Sequence, residues 1–382
     1  MKRPTLVHFL SIITDHFLSI KASLTLKSVD WTPSFEGAPS PIQAIRLLTG
    51  SRFAIKFIGL NEDKEEVFKK TYESDSFGNF NLKIPLNEIR KQIKILQLYE
   101  VRKRAGLDLH LGSYIPIEIK GSKKLVICDF DKTLVDTRYS TAKELYRSLT
   151  SPVEFFPTIE PSVKIIKDYI EQGYHPFILS ASPHFYEDAI RDWLYKRDIY
   201  TAGIFLKDYR EVFSMFEGAL TPKDLKIQGL YKLNHLIDIL LMAGLPDELA
   251  LMGDNFESDP IIYATLSLLL EDRIPAWNLW KQLNQHEKFQ LTKRQKSKIL
   301  NKIYQLESAV ENLKDGAEQN SGRNFPPKIK IHIRKKGQEN DLQLPRPFNV
   351  ALDVIDLYDG PTRLTQQIES NPEKKTLENH DL

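Results

Sequence analysis

The sequence predicts an α/β fold, a doubly wound parallel sheet, that is preceded by a small β-sandwich. The chain has 382 residues, which at roughly 100–200 residues per domain indicates two or three domains. Hydrophobic residues make up 41% of the chain, enough for substantial cores, and this excludes global disorder. The spacing of apolar stretches also changes near residue 121, from closely spaced strands to strands that alternate with helices.

The first 22 residues are predicted to form a helix, because their apolar residues recur at helical spacing. These residues are Leu6, Phe9, Leu10, Ile13, Phe17 and Ile20. One interpretation is a helix docked on its own domain. The other is an interfacial membrane anchor, since Lys2, Arg3 and Lys21 flank the apolar face.

Residues 23–120 predict a β-sandwich-like domain. Short apolar and β-branched stretches at 53–58, 80–84, 95–99 and 114–119 are separated by turn residues. Gly78 and Asn79, for example, form a predicted turn before the strand at 80–84, in which apolar residues alternate with polar ones. This domain shows no catalytic constellation in its sequence.

Residues 121–277 predict the parallel sheet, because short apolar strands alternate there with helices. The expected strands are 125–128, 177–179, 203–206 and 250–252, and the expected helices are about 160–172, 184–196 and 230–243. In such sheets ligands bind beyond the carboxyl ends of the strands. Polar residues that follow these strands are therefore the candidates for a functional site.

Residues 278–365 are predicted to add a basic helix, at 278–314, and a final strand, at 328–334, that completes the core. The helix carries an apolar seam at 4-3-4-3 spacing, formed by Ile299, Ile303, Leu306, Val310 and Leu313. The tail at 366–382 is polar and is predicted to be disordered.

Charge is distributed unevenly along the chain. The whole chain carries a formal net charge of +2, whereas segment 281–336 has fourteen Lys or Arg and five Asp or Glu, a net charge of +9. The segment predicts either a solvated helix packed on the protein or a contact with anionic lipid. A nucleic-acid partner is disfavoured because neither a known motif nor an aromatic platform accompanies the charge.

The sequence LVICDFDKT places two carboxylates, Asp129 and Asp131, directly after an apolar strand. Two neighbouring negative charges at a strand end are unfavourable unless a cation neutralises them. Hard oxygen ligands at this spacing suit Mg²⁺. The alternative is a strand that ends in a solvated acidic turn.

Ser180 and Ser182 follow the next predicted strand, and Pro183 suits the first turn of a helix. A hydroxyl at this place can hydrogen-bond a phosphoryl oxygen, as can the amides of a helix N-terminus. The alternative is that Ser182 caps the helix.

Asp254 and Asp259 follow the strand at 250–252 in the sequence GDNFESDP. Asp259 has an alternative role as a helix N-cap, because Pro260 can begin a helix. Lys232 lies at the start of the helix at 230–243, where the helix dipole disfavours a cation, and this indicates a nearby anion. Three other lysines compete for that role: Lys207, Lys223 and Lys226.

Taken together, Asp-x-Asp-x-Thr, a serine, a lysine and Gly-Asp-x4-Asp occur in this order over about 123–270. This arrangement resembles the haloacid-dehalogenase superfamily of phosphohydrolases. The resemblance implies an aspartyl-phosphate mechanism in which Asp129 is the nucleophile and Asp131 the general acid and base. It also implies that Ser180, Ser182 and Lys232 hold the phosphoryl oxygens.

The same resemblance implies Mg²⁺ as the cofactor, with its ligands among Asp129, Asp131, Asp254 and Asp259. For Asp131 the ligand would include the main-chain carbonyl. Caps in this superfamily are inserted at positions that correspond here to 135–160 and 207–228, and both segments are too short for a cap domain. An uncapped, open site favours bulky substrates or substrates presented on a surface.

Further motifs resemble the catalytic domain of the actin-patch-associated phosphatidate phosphatase family. They include SASP at 180–183, GIFLKDY at 203–209 and KLNHL at 232–236. Two positions depart from that family: Lys132 replaces an acidic residue and His184 replaces an aromatic one. The strand ending in Arg334 corresponds to the family's closing strand, displaced by an insertion.

The sequence thus predicts a Mg²⁺-dependent phosphomonoester hydrolase, phosphatidate phosphatase-like. The alternatives are a phosphatase for a soluble phosphate ester and a catalytically silent scaffold. The one cysteine, Cys128, cannot form an internal disulfide, and no stretch approaches the ~20 apolar residues of a spanning helix. These features predict a cytoplasmic protein, with peripheral membrane contact through 281–336 as the further option.

Overall fold

The computed structural model contains two four-stranded antiparallel or mixed sheets and one six-stranded parallel sheet within its described residues. The described residues are 2–28, 50–89, 92–137, 156–207, 229–256, 258–286, 289, 293–318, 325–335 and 342–359. The predicted tail at 366–382 and two of the candidate lysines, Lys223 and Lys226, lie outside them.

The N-terminal segment is a β-hairpin, so the predicted helix at 1–22 is wrong. Strand β1 spans Lys2–Ile13 and pairs antiparallel with β2, Phe17–Ser28. The two faces of β1 are buried against different partners: Leu10 and Ile12 pack into the core of the parallel sheet, and Ile13 packs into the core of the β-sandwich. A strand buried on both faces lacks the clean alternation that separates strands from helices in a sequence.

The hairpin is part of the β-sandwich, which therefore begins at Lys2 rather than at residue 23. The remaining strands are β3 (Ala54–Leu60), β4 (Glu66–Glu73), β5 (Asn79–Pro85), β6 (Ile95–Glu100), β7 (Leu109–Tyr114) and β8 (Ile117–Glu118). One sheet has the order β5-β2-β1-β8 and the other β4-β3-β6-β7. They enclose a shared apolar core that includes Leu18, Phe57 and Leu96.

The second part of the chain forms the parallel sheet. Its strands are β9 (Lys124–Asp129), β10 (His175–Pro183), β11 (Gly203–Lys207), β12 (Glu248–Asp254), β13 (Lys328–Arg334) and β14 (Ile355–Tyr358). Their order is β11-β10-β9-β12-β13-β14, with every pair parallel. In chain order this is 3-2-1-4-5-6, the doubly wound arrangement, and its switch point lies between β9 and β12.

Helices cover both faces of this sheet, which confirms the predicted α/β class. They are α1 (Glu160–Glu171), α2 (Glu187–Tyr195), α3 (Gly229–Ala243), α4 (Asp259–Leu270), α5 (Ala276–Gln285) and α6 (Lys293–Glu318). Helices α1 and α2 bury Ile166 and Trp193 on one face. Helices α3 to α6, together with β1, cover the other face. Among the described helices, none is long and apolar enough to cross a membrane.

The region predicted as one helix at 278–314 contains two helices, α5 and α6. Helix α5 ends at Gln285 because the backbone of His286 is extended, with φ −78° and ψ 133°. The apolar seam of α6 is buried in the core beside α3, α4 and α5, with Ile303 and Leu306 both 0% exposed. The seam therefore packs on its own chain. Strand β14, which the sequence did not predict, lies at the edge beside β13.

Candidate active site

The candidate site lies where the carboxyl ends of β9 and β12 meet. These strands pair in parallel with Cys128 opposite Met252, so Asp129 and Asp254 end neighbouring strands. The side chains of both aspartates are buried, with 1% and 0% exposure of the residues. This is the switch point of the sheet, where ligands bind in doubly wound folds.

Three carboxylates and one lysine converge at this point. Asp129, Asp254 and Asp259 each offer one oxygen atom, and the three atoms lie within 4.8 Å of one another. The ammonium of Lys232 donates to Asp259 Oδ1 at 2.6 Å and lies 3.1 Å from Asp129 Oδ1. Buried carboxylates in excess of their cationic partners are costly. The donor set therefore fits a hard divalent cation, which prefers carboxylate oxygens.

Burial dominates the electrostatics of the site. It raises the pKa of Asp129 well above its usual value; Lys232 lowers that pKa, and the nearby carboxylates raise it further. Burial likewise raises the pKa of Cys128 and of Tyr263, and the same carboxylates raise both further. The thiol and the phenol are therefore neutral. The Tyr263 hydroxyl donates to the Met252 carbonyl at 2.9 Å, which makes it part of the packing behind the site.

Asp259 faces the cluster from the first turn of α4. The N-cap of this helix is Ser258, so the alternative role of Asp259 as the cap is not observed. Asp259 Oδ2 instead accepts a hydrogen bond from the Asp254 amide at 3.3 Å. Gly253 makes this approach feasible: a Cβ at that position would lie 2.5 Å from Asp259 Oδ2 and 2.7 Å from Tyr263 Cε2.

Asp131 has a different environment from Asp129. Its side chain is not part of the carboxylate cluster; its Oδ2 accepts a hydrogen bond from Ser180 Oγ at 2.7 Å, and its Oδ1 accepts one from Thr137 Oγ1 at 3.3 Å. Asp131 is half-buried, whereas Asp129 is buried beside Lys232. Paired carboxylates in unlike environments can take unlike roles, one attacking as a nucleophile and one exchanging a proton.

Ser182 joins this group through its backbone. Its amide donates to Ser180 Oγ at 3.0 Å, which leaves the Ser180 hydroxyl oriented between Ser182 and Asp131. Ser182 is not the cap of the following helix, because the N-cap of α2 is Tyr186. A one-turn 3-10 helix, His184–Tyr186, separates β10 from α2.

The turn after Asp129 is held by a residue outside the predicted set. Lys132 has a φ of 61°, which side chains rarely adopt, and its carbonyl accepts a hydrogen bond from Arg334 Nη1 at 2.7 Å. Thr133 Oγ1 donates to Asp129 Oδ2 at 3.4 Å from the same turn. Arg334 ends β13, and the sequence signal for it was an apolar strand that stops at an arginine.

The structure brings Lys232, among the four candidate lysines, to the carboxylates. Lys207, at the end of β11, instead holds its ammonium 5.5 Å from the centre of the Tyr231 ring. Lys223 and Lys226 lie outside the described residues.

Comparison with known families places this site in a catalytic domain. Residues 124–279 match the family model described as "Phosphatidate phosphatase APP1, catalytic domain". Segment 124–279 is thus similar to this family of phosphatase catalytic domains. The match begins at β9 and contains every predicted site residue, and it confirms the resemblance found in the sequence motifs. The β-sandwich and most of α5 and α6 lie outside the APP1 match.

Comparisons with curated proteins and with solved structures found no similarity that bears on the function. No curated protein matches the chain. A β-glucuronidase from Parabacteroides merdae shares 11% identity, with 87% of this chain and 35% of that chain covered and a TM-score of 0.23. A glycosyl hydrolase family 2 member from Bacteroides cellulosilyticus shares 8% identity, with coverage of 97% and 41% and a TM-score of 0.25. The chain thus spans well under half of either protein, and scores this low bear on neither its fold nor its function.

Proposed function

We propose that the chain is a Mg²⁺-dependent phosphomonoester hydrolase that acts through an aspartyl-phosphate on Asp129. The observation that carries the proposal is the convergence of Lys232 with three buried carboxylates at the switch point, inside the segment that matches the phosphatase family. The proposal includes a haloacid-dehalogenase-like core without a cap domain. The segments where caps are inserted lie largely outside the described residues.

Asp129 is suited to be the nucleophile. Its carboxylate is buried and lies 3.1 Å from the Lys232 ammonium, which reduces the repulsion between it and an incoming phosphate. A Mg²⁺ ion held by Asp129, Asp254, Asp259 and the Asp131 carbonyl would supply further neutralisation of the phosphoryl oxygens. As the bond from Asp129 to phosphorus forms, the bond from phosphorus to the leaving oxygen breaks.

Asp131 is suited to move the proton. In the first step its protonated carboxyl gives the proton to the leaving oxygen, so that an alcohol departs. In the second step its carboxylate takes a proton from water, which attacks phosphorus and releases Asp129 and inorganic phosphate. Ser180, which donates to Asp131 at 2.7 Å, and Lys232 are placed to donate to the phosphoryl oxygens, with Ser182 beside them.

Phosphatidate, or a similar lipid phosphate, is the proposed substrate. The support is the description of the matching family together with the open site that the short cap segments predict. A soluble phosphate ester is the alternative that the same chemistry allows. A catalytically silent scaffold is less favoured, since a scaffold requires neither Asp131 nor Lys232.

The basic segment gives a way to reach a lipid surface. Lys302 contacts Asp238 in the middle of α3, and Lys314 contacts Asp272, which follows the end of α4 remote from the site. Helix α6 therefore runs away from the catalytic end, and its start, about two and a half turns before Lys302, lies on the catalytic side. The lipid contact is proposed for this basic start of α6, which includes Lys296 and Lys298, because of its charge and its position on the catalytic side.

The reaction is tested by phosphate release from an aryl phosphate with and without Mg²⁺. Wild type is expected to need the metal, and Asp129→Asn is expected to be inactive while remaining folded. Asp192→Asn, an exposed position on α2, is the matched control and should behave as wild type. Equal activity of Asp129→Asn and wild type, or no activity of wild type with any divalent metal, would refute the proposed reaction.

The substrate is tested with phosphatidate-containing liposomes beside a panel of soluble phosphate esters. Turnover of phosphatidate in the liposomes is expected to be much faster than that of the soluble esters, and a strong preference for a soluble ester would reject the lipid assignment.

Membrane contact is tested by salt-dependent sedimentation with anionic vesicles. The double variant Lys296→Glu/Lys298→Glu should sediment less than wild type. The control Lys328→Glu/Lys330→Glu carries the same change of charge on β13 and should sediment as wild type does. If the two double variants sediment to the same extent, the proposed lipid contact is refuted.

A further inference from the structure

The β-sandwich reaches the turn that follows the phosphate-binding serines. His8 of β1 is 5% exposed, and its Nδ1–H donates to Glu187 Oε2 at 2.7 Å. Glu187 is the first residue of α2. The His8 ring also stacks on the ring of His184, with centroids 5.6 Å apart and planes inclined by 23°. A residue of the N-terminal hairpin thus contacts both ends of the short segment that joins Ser182 to α2.

We propose that His8 is a positioning residue for the phosphatase reaction: it fixes the segment 184–187 and thereby the serines that precede it. The inference rests on the proposed function, because it concerns the groups that hold the phosphoryl oxygens. His8 lies outside the segment that matches the phosphatase family, so it gives the β-sandwich a part in the reaction.

The segment that His8 contacts is joined to the site through the chain, since His184 lies two residues after Ser182. The His184 Nε2–H donates to the Leu206 carbonyl at 3.1 Å, which fixes the segment to the end of β11. The Ser182 amide donates to Ser180 Oγ at 3.0 Å, and Ser180 Oγ donates to Asp131 Oδ2 at 2.7 Å. A displacement of the segment would therefore move the hydroxyl that faces the proposed acid and base.

The charge of Glu187 makes His8 difficult to replace. Burial raises the pKa of this carboxyl, but His8 and Arg191 lower it, and the net result is a pKa below the ordinary value. The carboxylate is therefore ionised at neutral pH, with Oε2 taken by His8 and Oε1 by Arg191. A buried carboxylate that loses one such partner is strongly destabilised and is expected to move.

Packing on the hairpin side of α2 is incomplete, so the specific contacts of His8 contribute to the position of the segment. A cavity of about 410 Å³ lies between β1 and α2, and His8, His184 and Glu187 are part of its lining. The cavity is open to solvent, so the side chains that line it have protein neighbours on one side only and gain less packing attraction than those of a filled core. The hydrogen bond and the ring contact of His8 cross the edge of this cavity.

Activity is measured for His8→Ala, His8→Asn and Asp15→Asn with a soluble aryl phosphate. For His8→Ala we expect kcat/KM to fall by about tenfold or more, because small misplacements of a binding group are costly. His8→Asn should recover most of the activity, since its amide nitrogen can take the place of Nδ1. Asp15→Asn alters the same hairpin at its other end, where Asp15 Oδ2 lies 3.8 Å from Lys123 Nζ, and should match wild type.

Amide hydrogen exchange of the peptide 181–187 gives a readout that does not depend on activity. Exchange should be faster in His8→Ala than in wild type and unchanged in Asp15→Asn. If His8→Ala fails to fold, His8→Phe, which keeps an aromatic ring but removes the Nδ1–H, replaces it in both measurements.

Wild-type exchange in His8→Ala, or full kcat/KM in that variant, would overturn the proposal. An equal loss of kcat/KM in Asp15→Asn would overturn it as well, because any loosening of the hairpin would then be enough to reduce activity. If wild type hydrolyses no phosphate ester, the proposed function fails, whereas the exchange measurement still decides whether His8 positions the segment.

Discussion

Two buried clusters of lysine and carboxylate lie along helix α3, and their charge balances are opposite. At the catalytic end, within the part of the chain that the structure describes, the ammonium of Lys232 faces three carboxylates. Further along the same helix, the single carboxylate of Asp238 accepts from Lys21 at 2.6 Å and also pairs with Lys302. The first cluster has an excess of negative charge and the second an excess of positive charge.

The difference in charge balance distinguishes a candidate catalytic site from an ion-pair network that holds secondary-structure elements together. Among the described residues, carboxylates outnumber ammonium groups in the first cluster, and a bound cation is suited to neutralise such an excess. The second cluster is complete within the chain, because Lys21, Asp238 and Lys302 come from β2, α3 and α6 and join the hairpin to two helices. The first should therefore respond to metal and control activity, and the second should control stability.

The largest effect is expected for Lys232→Met. The variant removes the ammonium that contacts Asp129 and Asp259, and we expect phosphate release to fall by roughly 10³-fold because a preorganised donor to the phosphoryl group is lost. The variant should also unfold at a lower temperature in EDTA and regain stability when Mg²⁺ is added. Retention of near wild-type activity would show that this cluster is not the site of chemistry.

Asp238→Ala should act on stability instead. It leaves two half-buried ammonium groups without their carboxylate, and because they keep some contact with water we expect the free energy of unfolding to fall by about 3 kcal/mol, the lower end of the range for a broken buried pair. Urea denaturation gives this value, and the activity of the folded protein should stay close to that of wild type. A loss of activity as large as that of Lys232→Met would contradict the division between the two clusters.

The second cluster should also make stability depend on pH, through His235. Burial lowers the pKa of His235 from 6.5 to about 4, with Asp238 opposing the shift and Lys21 and Lys302 adding to it. Between pH 6.5 and pH 4 the unfolded chain takes up a proton that the folded chain does not, so stability falls as the pH falls. The contribution is at most about 3 kcal/mol. Urea denaturation at pH 7 and pH 4.5 should show a smaller loss for His235→Gln than for wild type; an equal loss would refute this assignment.

The smallest effect is expected for Gly253→Ala, which tests how tightly the first cluster is built. The added Cβ would lie 2.5 Å from Asp259 Oδ2, so Asp259 must move relative to Lys232. Overpacking of this kind costs about 2 kcal/mol in the free energy of unfolding, and Mg²⁺-dependent activity should fall with it. Wild-type values of both quantities would show that Asp259 has room to shift without consequence.

The fold was predictable where its signals are local. Short apolar stretches that alternate with amphipathic helices predicted the strands at 125–128, 177–179, 203–206 and 250–252, and each is present within a somewhat longer strand. The helix predicted at 1–22 failed because β1 is buried on both faces, so its apolar residues follow no strand-like alternation. The break between α5 and α6 was missed because the apolar pattern continues across it.

The sequence by itself determined which residues end the strands of the parallel sheet, and so placed Asp129 and Asp254 at one edge, since the carboxyl ends of parallel strands must lie together. Only the tertiary structure decided which distant residues meet. His8 contacts Glu187 across 179 positions, and Lys302 contacts Asp238 across 64. Hydrophobic periodicity reports the environment of a residue and not the identity of its partner, so neither pairing could be inferred before the chain was folded.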